Sequence, residues 1–149
     1  IDGKFLMIGR QDGKNLYLLK SDTIDHWEEG TLLMEPRFPW ELVQIGNCGS
    51  PIELDEGWLM ITHGVGAMRK YAIGALLLDK DDPSIVLGRT SRPILSAVDE
   101  DREGYVPNVV YTCGAIKVGD DLFMPYGVAD SSVCFAFFPI AQILAAMHI

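Results

Sequence analysis

Apolar residues in this chain gather in short runs rather than long ones. Residues 5–8, 16–19, 58–62, 72–78, 109–116, 122–126 and 133–138 are such runs, each bounded by Gly, Asp, Asn or Pro. Turn chemistry fills the gaps, as Asp12-Gly13, Asp55-Glu56-Gly57, Asp81-Asp82-Pro83 and Gly119-Asp120-Asp121. These runs predict strands. Their apolar–polar alternation is imperfect, which predicts burial on both faces, as in stacked sheets. One segment departs from the rule: Ile140, Ile143, Leu144 and Met147 recur at the spacing of an amphipathic helix. Pro139 suits the first helical position, where its missing N–H costs nothing. The pattern therefore predicts an all-β protein with a short C-terminal helix over about 139–147.

A degenerate repeat underlies the strands. Gly3-Lys4-Phe5-Leu6-Met7-Ile8-Gly9, Gly57-Trp58-Leu59-Met60-Ile61-Thr62-His63-Gly64 and Asp121-Leu122-Phe123-Met124-Pro125-Tyr126-Gly127 each place an apolar strand ahead of a glycine. A loop and a second apolar strand follow each of them. Strand–turn–strand units of this length are the mark of propeller blades, each a small antiparallel sheet. About two and a half units fit, fewer than a closed ring of blades requires. The expectation is a single partial β-propeller domain spanning residues 1–149.

Charge and cysteine usage narrow the partners. Twelve Lys and Arg against 21 Asp and Glu leave a net charge of −9 over 149 residues. Nucleic acid and anionic membrane surfaces both need a positive stripe, so neither is an expected partner. No apolar run approaches the roughly 18 residues of a membrane-spanning helix. Cys48, Cys113 and Cys134 are scattered without CxxC spacing. Neither a disulfide framework nor a metal cage is expected, and a reducing cytoplasm is the default location. The start, Ile1-Asp2-Gly3-Lys4-Phe5, reads as the middle of a strand motif. The chain is therefore expected to be part of something longer.

Longer motifs carry a resemblance. The string Ile45-Gly46-Asn47-Cys48-Gly49-Ser50-Pro51-Ile52-Glu53, with Gly57-Trp58-Leu59 and Thr62-His63-Gly64-Val65 after it, resembles the signature of glycoside hydrolase family 130. That family comprises five-bladed propeller β-mannoside phosphorylases and related mannosidases. Further matches follow in order: Tyr71-Ala72-Ile73-Gly74-Ala75-Leu76-Leu77-Leu78-Asp79, Glu103-Gly104-Tyr105-Val106-Pro107-Asn108-Val109-Val110-Tyr111, and Tyr126-Gly127-Val128-Ala129-Asp130. The family's proton-donating aspartate lies in a Glu-Asp-Pro-Arg motif within its first half, and nothing here matches it. Asp99-Glu100-Asp101-Arg102 has similar letters but falls in a different, later segment. The resemblance implies the C-terminal half of such an enzyme, without its catalytic acid and therefore inactive by itself.

The resemblance also implies a set of site residues. Arg10 matches a phosphate-clamp arginine, whose planar fork engages two phosphate oxygens at once. His63 matches a phosphate-site histidine, and an imidazole ordinarily sits near its titration point at neutral pH. Tyr71 matches a tyrosine near the phosphate; apart from the resemblance, Arg69 and Lys70, in the loop after His63, could supply positive charge. Asp130 matches an aspartate that accepts from sugar hydroxyls. Asn47 and Ser50 lie in a Gly-rich loop able to expose backbone amides to a sugar or an anion. Each also has an ordinary reading as a turn, loop or core residue. Gln44 stands where many family members carry a lysine, nineteen residues ahead of His63. An amide brings no charge, so inorganic phosphate and water both stay open as the nucleophile.

Glu53, Asp99, Asp101 and Glu103 are further carboxylates, none in an acid-donor motif. Neither a catalytic triad nor a phosphate-cradling P-loop can be assembled. Trp27 and Trp58 are expected between blades, while Trp40 is open to either packing or sugar stacking. The expected function is a phosphate- and sugar-binding part of a β-mannoside phosphorylase or glycosidase, needing no cofactor beyond phosphate as co-substrate. The alternative is a non-catalytic sugar-binding or self-assembling propeller fragment. Open strand edges and apolar inter-blade faces invite either a homo-oligomer or an N-terminal half as partner.

Overall fold

The computed structural model describes residues 1–97 and 106–148. The predicted Asp99, Glu100, Asp101, Arg102, Glu103, Gly104 and Tyr105 features lie outside the described residues. The chain forms β1 (Phe5–Gly9), β2 (Leu16–Ser21), β3 (Thr31–Met34), β4 (Gln44–Asn47), β5 (Ile52–Glu53), β6 (Trp58–Val65) and β7 (Tyr71–Leu78). There follow β8 (Val86–Thr90), β9 (Leu95–Ser96), β10 (Val110–Tyr111), β11 (Ile116–Val118), β12 (Asp121–Val128) and β13 (Ser132–Pro139). Helix α1 (Ile140–Ala145) and β14 (Met147–His148) close the order.

The strands form three antiparallel sheets. The first is β1-β2-β3; the central sheet runs β14-β8-β7-β6-β4, with β5 added to β6 and β9 to β7; the third is built on β12, which pairs with β10, β11 and β13. Burial explains why the alternation along the chain is blurred. On one face of the central sheet, Met60, Leu76 and Leu78 pack with Leu16, Met34 and Ile45 from the first sheet and β4. On the other, Leu59, Ile61, Ile73 and Ala75 pack with Val110, Leu122, Met124 and Val128 of the third sheet. The β6–β7 hairpin is thus apolar at nearly every position because both its faces meet another sheet.

Two expectations need correction. The run 109–116 is not one strand but splits into β10 and β11. Gly114 takes φ 144, and its N–H donates to the Thr112 hydroxyl at 3.1 Å, folding the chain away from the ladder. The helix is shorter than 139–147: Pro139 still pairs with Asp121 as the last residue of β13, and Met147 pairs with Thr90 in β14. Only the first part of the apolar stripe is helical, with Ile140 and Ile143 buried against the core shared by the central and third sheets.

A buried ion pair ties the β3–β4 connection to the central sheet. The Glu41 carboxylate accepts from the backbone N–H groups of Arg37 and Phe38 at 2.9 and 3.0 Å and pairs with the Arg89 guanidinium. Arg89 also donates to the Glu35 carbonyl and lies over the Phe38 ring. Beside it the Trp40 indole lies flat on the hairpin. A Cβ at Gly64 or Gly74 would fall 2.5 Å from its ring, so those two glycines make the platform on which it rests. Trp27 and Trp58 each donate from Nε1 to nearby carbonyls, of Ile24 and Lys80. Trp27 stays in its own turn, and only Trp58 packs against the core between the first and central sheets.

Candidate functional site

Strand β6 brings His63 to the face of the central sheet that looks toward the third sheet. Antiparallel pairing sets Gly46, His63 and Ile73 in one row across β4, β6 and β7, and Gln44, Val65 and Tyr71 two rows on, on the same face. Paired residues share a face, so Gln44, Gly46, His63 and Tyr71 all look the same way. Tyr71, the diagonal neighbour of His63, stacks its ring on the imidazole with centroids 6.1 Å apart and planes 19° from parallel. Tyr111 of β10 meets the same ring edge-on at 5.4 Å. The Cys48 sulfur lies 3.5 Å from Nδ1.

This packing sets the charge state of the histidine. Only 7% of His63 remains exposed. Burial, and secondarily the Arg10 guanidinium, push its pKa down from 6.5 to about 4. The expectation of an imidazole poised near neutrality is therefore overturned: His63 is an uncharged ring at physiological pH. Burial is also the main cause that raises the Tyr111 phenol above its ordinary range, an effect that Arg10 opposes. Arg10, just beyond β1, thus projects positive charge onto both His63 and Tyr111, although it comes from a different sheet. A neutral imidazole and two phenols therefore lie together within the electrostatic reach of a guanidinium.

Other expected residues occupy different positions. Arg69 lies in an exposed one-turn 3₁₀ helix, Ala67–Arg69, at φ 56, and among the described residues it makes no hydrogen bond or ion pair. Asp130 sits exposed at the tip of the β12–β13 hairpin. Ala129 and Asp130 take φ 51 and 52, and Ser131 N–H donates to the Val128 carbonyl at 3.0 Å. This turn is linked to the His63 cluster through one segment. Ala129 N–H donates to the Val109 carbonyl, and the Asn108 carbonyl accepts from Tyr71 N–H. Asn47 and Ser50 lie elsewhere, in a cleft of about 370 Å³ between the first and central sheets, with Met7, Ile8, Trp58 and Leu78.

Three contributors escaped the sequence reading: Tyr111, Cys48 and Gly46. Gly46 faces His63 directly, and a Cβ there would fall 2.3 Å from Cε1. All three sat inside the quoted motifs, but no periodicity marked them as neighbours of His63. Glu53 lies at the opposite end of β6, where it pairs with Trp58 and makes an exposed ion pair with Lys80. Among the described residues, no group of three His, Cys, Asp or Glu side chains could hold a metal ion. No described helix is long and apolar enough to cross a membrane.

The comparisons with known proteins agree with one another. The profile of glycoside hydrolase family 130, described as β-1,4-mannooligosaccharide phosphorylase, matches residues 1–149. A 1,2-β-oligomannan phosphorylase from Thermoanaerobacter sp. (strain X514) is 35% identical over 136 residues, 89% of this chain and 45% of the relative. A β-1,2-mannobiose phosphorylase from Listeria innocua is 44% identical over 107 residues, 71% of this chain and 30% of the relative. The solved structure of the β-1,2-mannobiose phosphorylase from Listeria innocua superposes with a TM-score of 0.88 at 35% identity, covering 98% of this chain and 43% of that one. The chain spans less than half the length of these relatives. With a family match that runs from its first residue to its last, this chain belongs to glycoside hydrolase family 130.

Proposed function

We propose that this chain forms the phosphate and sugar side of a β-mannoside phosphorylase site, within a partial five-bladed propeller of about two and a half blades. The observation that carries the reading is the His63 ring, stacked on by Tyr71 and met edge-on by Tyr111, within electrostatic reach of Arg10. A phosphate oxyanion would take its charge compensation from the Arg10 fork and a neutral N–H bond from His63. Asp130, on the turn tied to Tyr71 through residues 108–109, would accept from sugar hydroxyls. Three of the relatives are named for β-1,2-linked mannosides, which favours that linkage over β-1,4. Gln44 shares the His63 face and adds no charge, so Arg10 carries most of the attraction for the anion.

Cleavage of a glycosidic bond also needs an acid to protonate the departing oxygen. Among the described residues no carboxylate joins the His63 cluster, and because no carboxylate of the chain stands in an acid-donor motif we assign the acid to a segment outside this chain. The isolated chain should bind phosphate and mannobiose yet release no mannose 1-phosphate from β-1,2-mannobiose. Adding the N-terminal half of the Listeria relative should restore release. Robust turnover by the isolated chain would overturn the missing-acid assignment.

A second reading, a non-catalytic or self-assembling fragment, is favoured by the outer faces of the end sheets. On the third sheet Val133, Phe135 and Phe137 are 68%, 65% and 61% exposed, and Phe123 packs against both phenylalanines. On the first sheet Phe5, Met7 and Leu32 are exposed. Apolar faces of this kind ordinarily meet another sheet. A second copy would cover them in the isolated chain, and sedimentation velocity should show a dimer. A monomer at high concentration would remove this reading.

A further inference from the structure

We propose that Cys48 is a positioning residue for His63. Its thiol donates to Nδ1 and fixes the neutral imidazole in the tautomer that carries its proton on Nε2, the edge overhanging Gly46. Neutral imidazole has one N–H donor and one acceptor nitrogen, and whatever bonds one nitrogen decides the role of the other. The Cys48 sulfur lies 3.5 Å from Nδ1, and both side chains are buried, at 2% and 7% exposure. Among the described residues no other group hydrogen-bonds either ring nitrogen of His63.

The direction of the bond follows from what surrounds the sulfur. Among the described residues His63 is the one side chain that hydrogen-bonds the Cys48 sulfur. Burial keeps the thiol protonated, pushing its pKa up to about 12. The sulfur therefore has a proton to give, and Nδ1 is the acceptor within reach. The ring cannot readily turn to exchange its nitrogens, because Tyr71 stacks on it and Tyr111 abuts it. Nε2 is the nitrogen nearer Gly46, where a Cβ would fall 2.8 Å from it against 3.1 Å for Nδ1. The result is an uncharged N–H donor of fixed direction within electrostatic reach of the Arg10 guanidinium.

This inference rests on the reading of the cluster as an oxyanion site for its purpose, but not for its principal test. Long-range ¹H–¹⁵N correlation spectra of the ¹⁵N-histidine-labelled chain report which ring nitrogen carries the proton. His63→Gln assigns the signal against His26 and His148. Wild type should show the Nε2–H pattern, and Cys48→Ser, which retains a donor, should keep it. Cys48→Val, of similar shape but without a donor, should give a mixture of tautomers. It should also weaken inorganic phosphate binding about two- to tenfold, the worth of one neutral hydrogen bond. If Cys48→Val folds poorly, Cys48→Ala gives the same comparison. A proton on Nδ1 in wild type, or an unchanged tautomer in both donor-free variants, overturns the proposal. A locked Nε2–H tautomer in a chain that binds no phosphate would sink the oxyanion reading while supporting the role of Cys48.

Discussion

The imidazole of His63 lies across Gly46, the residue it faces on the β4–β6 ladder, so closely that a Cβ at Gly46 would sit 2.3 Å from Cε1. The glycine is a requirement of the site rather than of the strand. Gly46→Ala should displace the ring from between Tyr71 and Tyr111, at about 1–3 kcal/mol of stability as for other overpacked positions. Urea denaturation measures that cost. Phosphate titration of the variant should show binding weakened further than the small change in stability accounts for.

Burial of an uncharged His63 gives stability a defined pH dependence. The folded chain holds its pKa at about 4, against 6.5 for a free imidazole, so the unfolded chain takes up the proton first as pH falls. The contribution is fully present above about pH 6.5 and is lost as pH falls toward 4, amounting to about 3 kcal/mol. Comparing wild type with His63→Gln by chemical denaturation at pH 7, 5.5 and 4.5 isolates it. The variant's profile should be the flatter one.

Glu41 and Arg89 form a buried pair whose two members cannot be separated cheaply. Removing the carboxylate by Glu41→Leu strands a buried guanidinium and unties two backbone N–H groups, an expected loss of about 3–5 kcal/mol. Breaking the exposed Lys80–Glu53 pair by Lys80→Ala should cost less than about 1 kcal/mol. Thermal unfolding of both variants tests the contrast.

Asp130 separates recognition from folding. At φ 52 it occupies the left-handed region, where glycine is relaxed and other residues are strained by about 1–2 kcal/mol. Asp130→Gly should leave the fold intact or slightly more stable, yet weaken mannobiose binding at least tenfold. Calorimetric titration together with a melting curve distinguishes these effects. A variant that binds sugar normally would remove Asp130 from the site.

Much of this was legible in the sequence for identifiable reasons. Strands β1, β2, β6, β7, β12 and β13 follow from apolar runs between turn residues, and β6 and β7 are apolar almost throughout because both their faces are buried. Strands β5, β9 and β14 were illegible: two residues long, they exist only because a neighbouring strand offers an unpaired edge. Arg10, His63 and Tyr71 drew attention through their motifs. Tyr111 did not, because its contact with His63 joins two sheets and leaves no mark in the spacing of either. The charge state of His63 was misjudged for a related reason, since burial is a property of the assembled sheets.

The most direct test of the oxyanion reading is a calorimetric titration of inorganic phosphate into the wild-type chain, Arg10→Ala and His63→Gln at pH 7. Saturable binding in wild type is expected, weakened more than tenfold by loss of the guanidinium and less severely by loss of the neutral imidazole. An absence of binding in wild type, or equal affinity in all three proteins, would contradict it.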